Sequence, residues 1–134
     1  MKAIVTGANG FLGKTLVNAL LDNGYSVLAL DIRFDDSLLS NQKIFCLNVL
    51  DKTIDEIENE IEKDSYNCFF HLAWAGTSGP VRADYNVQLN NIRLTCDYIK
   101  VCKNIGCKRF IYASSINEME TYEYLQSDDI NPSR

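Results

Sequence analysis

Three glycines govern what this chain can fold into. Gly7, Gly10 and Gly13 follow directly on the apolar, strand-like residues 2–6 and open a helical pattern. Over residues 11–23, Leu12, Leu16, Ala19 and Leu20 recur at helical spacing, and Gly24 stops the helix as a C′ glycine does. A strand, a tight glycine turn and a helix make the first arm of a βαβ crossover. The spacing G-x-x-G-x-x-G is one residue longer in its first gap than the commonest dinucleotide-binding form. The physical tasks are unchanged. Gly7 permits the sharp strand-to-helix turn, Gly10 lets backbone approach a pyrophosphate, and Gly13 lets the helix lie close to the strand. The helix N-terminus then offers unpaired N–H donors and a positive dipole end to phosphate.

The rest of the chain repeats this alternation. Residues 25–31, 44–47, 68–73 and 109–114 read as four further strands. A loose polar stretch, 32–42, joins the second strand to the third. Thr53 and Glu56 form a capping box, after which Ile54, Ile57 and Ile61 make one apolar stripe. The acids between them, Asp55, Glu56, Glu58, Glu60 and Glu62, form a solvated face. A long helix over 82–105 places Asn91, Leu94, Tyr98, Val101, Cys102 and Ile105 on one side, and Gly106 ends it. Five strands joined by long crossovers predict an α/β fold, a doubly wound parallel sheet of Rossmann type over residues 1–115. Its ligand would sit at the carboxyl ends of the strands. Residues 116–134 read as an irregular segment.

Composition narrows the class. The length of 134 residues suits one domain, and no apolar run is long enough to span a membrane. The glycine at position 7 comes too early for a signal-peptide core. A net charge of −5 argues against a nucleic-acid partner. Five cysteines without a Cys-x-x-Cys pair, and a single histidine, argue against a metal site or a disulfide framework and favour the cytoplasm. The cysteines read as small buried apolar residues.

Asp31 ends the second strand eighteen residues after Gly13. That is close to the offset at which an acid receives the adenosine ribose hydroxyls, which favours NAD. Arg33, two residues on, could instead hold the extra phosphate of NADP, so NADP stays open. His71 reads as structural rather than catalytic. Asn91 either satisfies buried backbone between helix and sheet or faces the cofactor. Trp74 either covers the crevice or only packs, and Ser114 and Ser115 are either a strand-end turn or functional.

Four segments together carry a family resemblance. Thr6-Gly7-Ala8-Asn9-Gly10-Phe11-Leu12-Gly13, His71-Leu72-Ala73-Trp74-Ala75-Gly76, Asn91-Ile92-Arg93-Leu94-Thr95 and Phe110-Ile111-Tyr112-Ala113-Ser114-Ser115 stand in order. They resemble motifs of the extended short-chain dehydrogenase/reductase family, the NAD-dependent nucleotide-sugar epimerases and dehydratases. Leu94 replaces a glycine of that pattern. The resemblance implies that Phe11 and Leu12 backbone, beside Gly7, Asn9, Gly10 and Gly13, meets the pyrophosphate. Asp31 and Ile32 would hold the ribose, and Asn48 and Val49 would flank the adenine, with Asn48 where the family more often has Asp. Leu72, Ala73 and Ala75 would line the way to the nicotinamide ribose, with Asn91 behind them. Ala113 and Ser114 would lie beside the nicotinamide. Ser115 would be the catalytic hydroxyl on the reacting substrate oxygen.

The same family uses a tyrosine with a lysine four residues on, and no tyrosine here has that partner. The pair and a substrate lobe would follow residue 134, so the chain alone is expected to be nearly inactive. The implied activity is hydride transfer at a sugar hydroxyl or ketone of a nucleotide sugar, in a possible homodimer. The alternative is a freestanding NAD(P)-binding sensor or docking module.

Overall fold

The computed structural model describes residues 1–114, 122, 123, 125 and 126. Five strands form one parallel sheet: β1 (Lys2–Thr6), β2 (Ser26–Asp31), β3 (Ile44–Asn48), β4 (Cys68–His71) and β5 (Phe110–Tyr112). Their spatial order is β3-β2-β1-β4-β5. The chain steps outward from β1 through β2 to β3, then crosses back to the far side for β4 and β5. The direction therefore reverses between β1 and β4, and β1 lies at the switch point where such sheets receive ligands. Being central, β1 is covered on both faces, with Ala3, Ile4, Val5 and Thr6 all buried.

Alternation along the strands feeds two apolar layers. Ala3, Val5, Val27 and Ala29 pack with α1 (Phe11–Asp22) and the short α2 (Asp36–Leu39). Ile4, Leu28, Leu30 and Phe69 pack under α3 (Ile54–Glu60) and α4 (Tyr85–Asn104), meeting Ile57, Tyr98, Val101 and Cys102. The parallel α/β expectation is met, with differences at the edges of elements. The buried face of α1 is Gly13, Val17 and Leu20, with Leu16 beside it, while Leu12 and Ala19 face outward. The helix is turned because Gly13 must lie against the turn after β1, and that sets the face. The polar stretch after β2 holds α2, whose Leu38 fills the first layer.

The long helix begins later than residue 82. A 3₁₀ turn, Pro80–Ala83, precedes it, and Asp84 accepts from the N–H groups of Asn86 (2.9 Å) and Val87 (3.4 Å). That cap fixes the start of α4. β4 stops at His71: Leu72 N is shared between the Thr6 carbonyl oxygen and Thr6 Oγ1, and Ala73 N turns to Thr6 Oγ1 alone. Cys96 departs from the expected burial and is exposed, whereas Cys102 is buried and Cys46, Cys68 and Cys107 are half-buried. Of the segment expected to be irregular, Tyr122, Glu123, Leu125 and Gln126 are helical, and Ser115 lies outside the described residues.

Candidate functional site

The turn after β1 is closed by backbone. Gly7 donates to Leu30 O at 2.9 Å, and Gly10 donates to Gly7 O at 3.0 Å. Gly7 has φ +66°, and a Cβ there would come within 2.9 Å of Ala73 N. A Cβ on Gly13 would collide with the Gly7 carbonyl oxygen and come within 2.8 Å of Ala8 Cα. Neither position can hold a side chain without moving backbone. The cradle thus brings the head of α1 against the ends of β1 and β4.

Among the described residues, three helices longer than one turn begin at this carboxyl edge of the sheet, and their ends differ. In α3, Thr53 and Glu56 cap each other reciprocally. In α4, Asp84 serves as cap. In α1 the N-cap is Gly10, no side chain caps it, and the first turn carries no acid. Its leading side chains, Phe11 and Leu12, are 90% and 60% exposed. The first N–H groups of α1 thus face outward with an uncompensated positive dipole end, which suits an anion.

The β2 side of this helix end is charged. Asp31 accepts from Asn9 N and Ile32 N, each at 2.8 Å, so its carboxylate anchors the crest of the glycine loop. Asn9 also pairs with Asp35: its Nδ2 donates to Asp35 Oδ1 at 3.3 Å, and its Oδ1 accepts from Asp35 N at 3.2 Å. Lys14 donates to Asp35 Oδ2. Beyond β3, Asn48 accepts from Leu50 N at 2.8 Å and so spends its oxygen on its own turn. Val49 donates to Asp31 O at 3.0 Å and packs on the core.

The β4 side is neutral and buried. Thr6 Oγ1 accepts from Leu72 N and Ala73 N, both at 3.2 Å, and lies 2.7 Å from His71 Nδ1. Thr95 donates to Asn91 O at 2.9 Å, so toward His71 Nε2, 3.1 Å away, it can only accept. His71 is therefore the neutral Nε2–H tautomer, with Nδ1 accepting from Thr6. Burial agrees, holding its pKa down to about 4. Both ring nitrogens are committed inside the fold, so His71 is structural.

Asn91 brackets one residue. Its Oδ1 accepts from Ala75 N at 3.0 Å, and its Nδ2 donates to Ala75 O at 2.9 Å and to Gln88 Oε1 at 3.2 Å. Gln88 Oε1 also accepts from Trp74 Nε1 at 3.0 Å. Trp74 is thus held on α4, with its ring half-exposed. The segment carrying Leu72, Ala73 and Ala75 is fastened by Thr6 at one end and Asn91 at the other. Ala113 donates to His71 O at 3.2 Å, which sets Ala113 and Ser114 at the end of β5.

Gly7, Asn9, Gly10, Phe11, Leu12, Gly13, Asp31, Ile32, Leu72, Ala73, Ala113 and Ser114 thus gather at the carboxyl ends of β1, β2, β4 and β5. Asn48 and Val49 flank them after β3, and Asn91 reaches them only through Ala75. Sequence reasoning missed Lys14, Asp35 and Gln88, and took in Thr95 only as part of a motif, with no role of its own. Exposed charges in a polar loop have no periodicity, and Gln88 and Thr95 show themselves only as neighbours of Asn91 one helical turn away on either side. Chemically, the arrangement can hold an elongated ligand with a central anion: a polar end by Asp31, phosphate at the head of α1, and a flat group near β4 and β5.

The sequence model of the NAD dependent epimerase/dehydratase family matches residues 3–133. The dTDP-6-deoxy-L-talose 4-dehydrogenase (NAD(+)) of Aggregatibacter actinomycetemcomitans is 28% identical over 129 residues, covering 89% of this chain and 43% of the relative. The solved structure of MoeE5 in complex with UDP-glucuronic acid and NAD superposes with a TM-score of 0.66 at 27% identity, covering 86% of this chain and 37% of that one. A UDP-galactose 4-epimerase structure shares the fold, with a TM-score of 0.71 at 23% identity over 97% of this chain and 41% of that one. The chain spans less than half the length of these relatives.

Proposed function

The chain belongs to the NAD-dependent epimerase/dehydratase family, and from that premise we propose that it is the NAD-binding portion of an oxidoreductase acting on nucleotide sugars by hydride transfer. The observation that carries the reading is the open N-terminus of α1 over a cradle in which Gly7 and Gly13 admit no Cβ. Family members are enzymes whose cofactor is NAD, and NAD-bound neighbours such as MoeE5 share this fold. When bound, NAD supplies the hydride acceptor at its nicotinamide.

The chain's residues do the holding. Phe11 and Leu12 N–H groups bind pyrophosphate, and Asp31 with Ile32 takes the ribose hydroxyls. Asn48 and Val49 border the adenine. Leu72, Ala73 and Ala75, braced by Asn91, form the wall toward the nicotinamide, beside Ala113 and Ser114. Ser115 orients the reacting oxygen of the sugar. The base that removes the hydroxyl proton is outside these residues, since no tyrosine here has a lysine four positions on.

The parent is proposed to be cytoplasmic, a reading supported by its unpaired cysteines, and no helix among the described residues is long and apolar enough to cross a membrane. It is proposed to pair as a homodimer through α4, where Leu89, Ile92 and Ile99 form an exposed apolar stripe. Calorimetric titration of the full chain with NAD and NADP tests the binding claim. One-site NAD binding without turnover of UDP- or dTDP-sugars is expected. Turnover by these residues alone overturns the division of labour, and absence of binding overturns the cofactor role.

A further inference from the structure

Asp31 closes β2, the connection from β2 to α2 carries Arg33 and Asp35, and Lys14 stands in the first turns of α1. The two acids are used differently. Asp31 spends both oxygens on backbone N–H groups of Asn9 and Ile32. Asp35 is the N-cap residue of α2, yet its carboxylate makes no capping bond. It is turned instead across to the glycine loop and α1, where Asn9 of the loop donates to Oδ1 and Lys14 of the helix to Oδ2. The Lys14 ammonium, then Asn9, and more weakly Arg33 hold the Asp35 carboxyl below the usual carboxylate range. Lys14 is thus paired with this acid, while Arg33 acts on it only through space.

We propose that Asp35 is a specificity-determining residue that selects NAD over NADP by sequestering Lys14. The inference rests on the reading that the glycine loop holds a dinucleotide. NADP differs from NAD by a phosphate on the adenosine ribose, at the end of the site where Asp31 lies. A phosphate there needs a cation to replace its water. Lys14 is the ammonium fixed to the loop beside that end, and Asp35 both neutralises it and adds a repelling charge of its own. With Asp35 intact, the phosphate meets two carboxylates and no unpaired ammonium. With Asp35 neutral, Lys14 is released toward the incoming phosphate. The motif-level acid, Asp31, is then only half of the discrimination.

The test is titration of the full chain and its variants with NAD and NADP, at low and at raised ionic strength. Asp35→Asn keeps an amide partner for Asn9 and removes the charge. It should raise the NADP-to-NAD affinity ratio by about tenfold, the size expected for one freed charge-assisted contact to phosphate. Raised salt should shrink that gain. Adding Lys14→Gln to Asp35→Asn should abolish it, whereas adding Arg33→Gln should leave most of it. An unchanged ratio in Asp35→Asn, with NAD still binding the unsubstituted chain, overturns the proposal while leaving the dinucleotide site standing. A gain that survives Lys14→Gln, or that vanishes with Arg33→Gln, also overturns it. If the unsubstituted chain binds neither nucleotide, the site and this inference fall together.

Discussion

The two sides of β1 solve the same problem with different materials. Toward β2, the site is backbone geometry and exposed charge: a glycine cradle, an open helix end, and Asp31 and Asp35 reaching across to it. Toward β4, it is a buried neutral relay in which Thr6, His71, Thr95 and Asn91 pass hydrogen bonds from the sheet to α4. The first side faces a phosphate and must leave donors unpaired. The second side must present a flat apolar wall, so every donor behind it is already satisfied. Openness marks the one and closure the other.

The largest way to break this arrangement is to fill the cradle. Gly13→Val places carbon against the Gly7 carbonyl and Ala8 backbone, which cannot yield as a flexible side chain would. It should cost about 3 kcal/mol of stability and remove NAD binding. Gly24→Ala is the control: φ is +78°, but nothing lies within 4 Å of the added carbon. It should cost about 1 kcal/mol and spare binding. Chemical denaturation paired with NAD titration reads both.

The closed side should break by protonation. His71 is neutral in the folded chain with a pKa of about 4, while the unfolded chain takes up its proton near 6.5. Its contribution is therefore complete above pH 6.5, falls as the pH drops from 6.5 toward 4, and levels off below 4. The loss should be on the order of 3 kcal/mol. As the single histidine, its imidazole resonance is unambiguous by NMR. A midpoint near 6.5 in the folded protein would refute the relay.

The open side was legible in the sequence because special backbone demands special residues. Only glycine fits at Gly7 and Gly13, and Asp31 stands at a strand end whose offset from them is fixed by one helix. The parallel sheet followed from the same alternation. The closed side was half legible. His71 and Asn91 could be read as buried, but their partners Thr95 and Gln88 sit on a helix face where any polar residue would look solvated. The α1 stripe was read one position off because glycine counts as nothing on an apolar scale, although Gly13 is the residue that sets the face. Asp35 was invisible for another reason: it acts through a contact across twenty-one residues, in a loop whose composition says only that it is polar.

The contrast also exists between helix ends. α3 begins at the same edge of the sheet as α1 but is sealed by its Thr53–Glu56 box. Thr53→Ala should cost about 1 kcal/mol. It should leave NAD affinity within about twofold, because phosphate is held by the other helix. A large loss of affinity would move the anion from α1 to α3.

The smallest effect sharpens the comparison most, because its two readouts run in opposite directions. Phe11 is the first residue of α1, and its ring is almost wholly in water. Phe11→Asp puts a carboxylate on the unpaired N–H groups, as Glu56 does for α3. A chain selected only for stability would carry that acid, since it should add about 0.5 kcal/mol through the helix dipole. The same carboxylate would occupy the donors reserved for pyrophosphate and repel its charge, so NAD affinity should fall by about tenfold or more. Denaturation and calorimetry on one variant read both signs. If stability rises and NAD binding is untouched, the head of α1 is open by accident rather than for a ligand. If stability rises while binding falls, the missing cap is a stability cost kept for function.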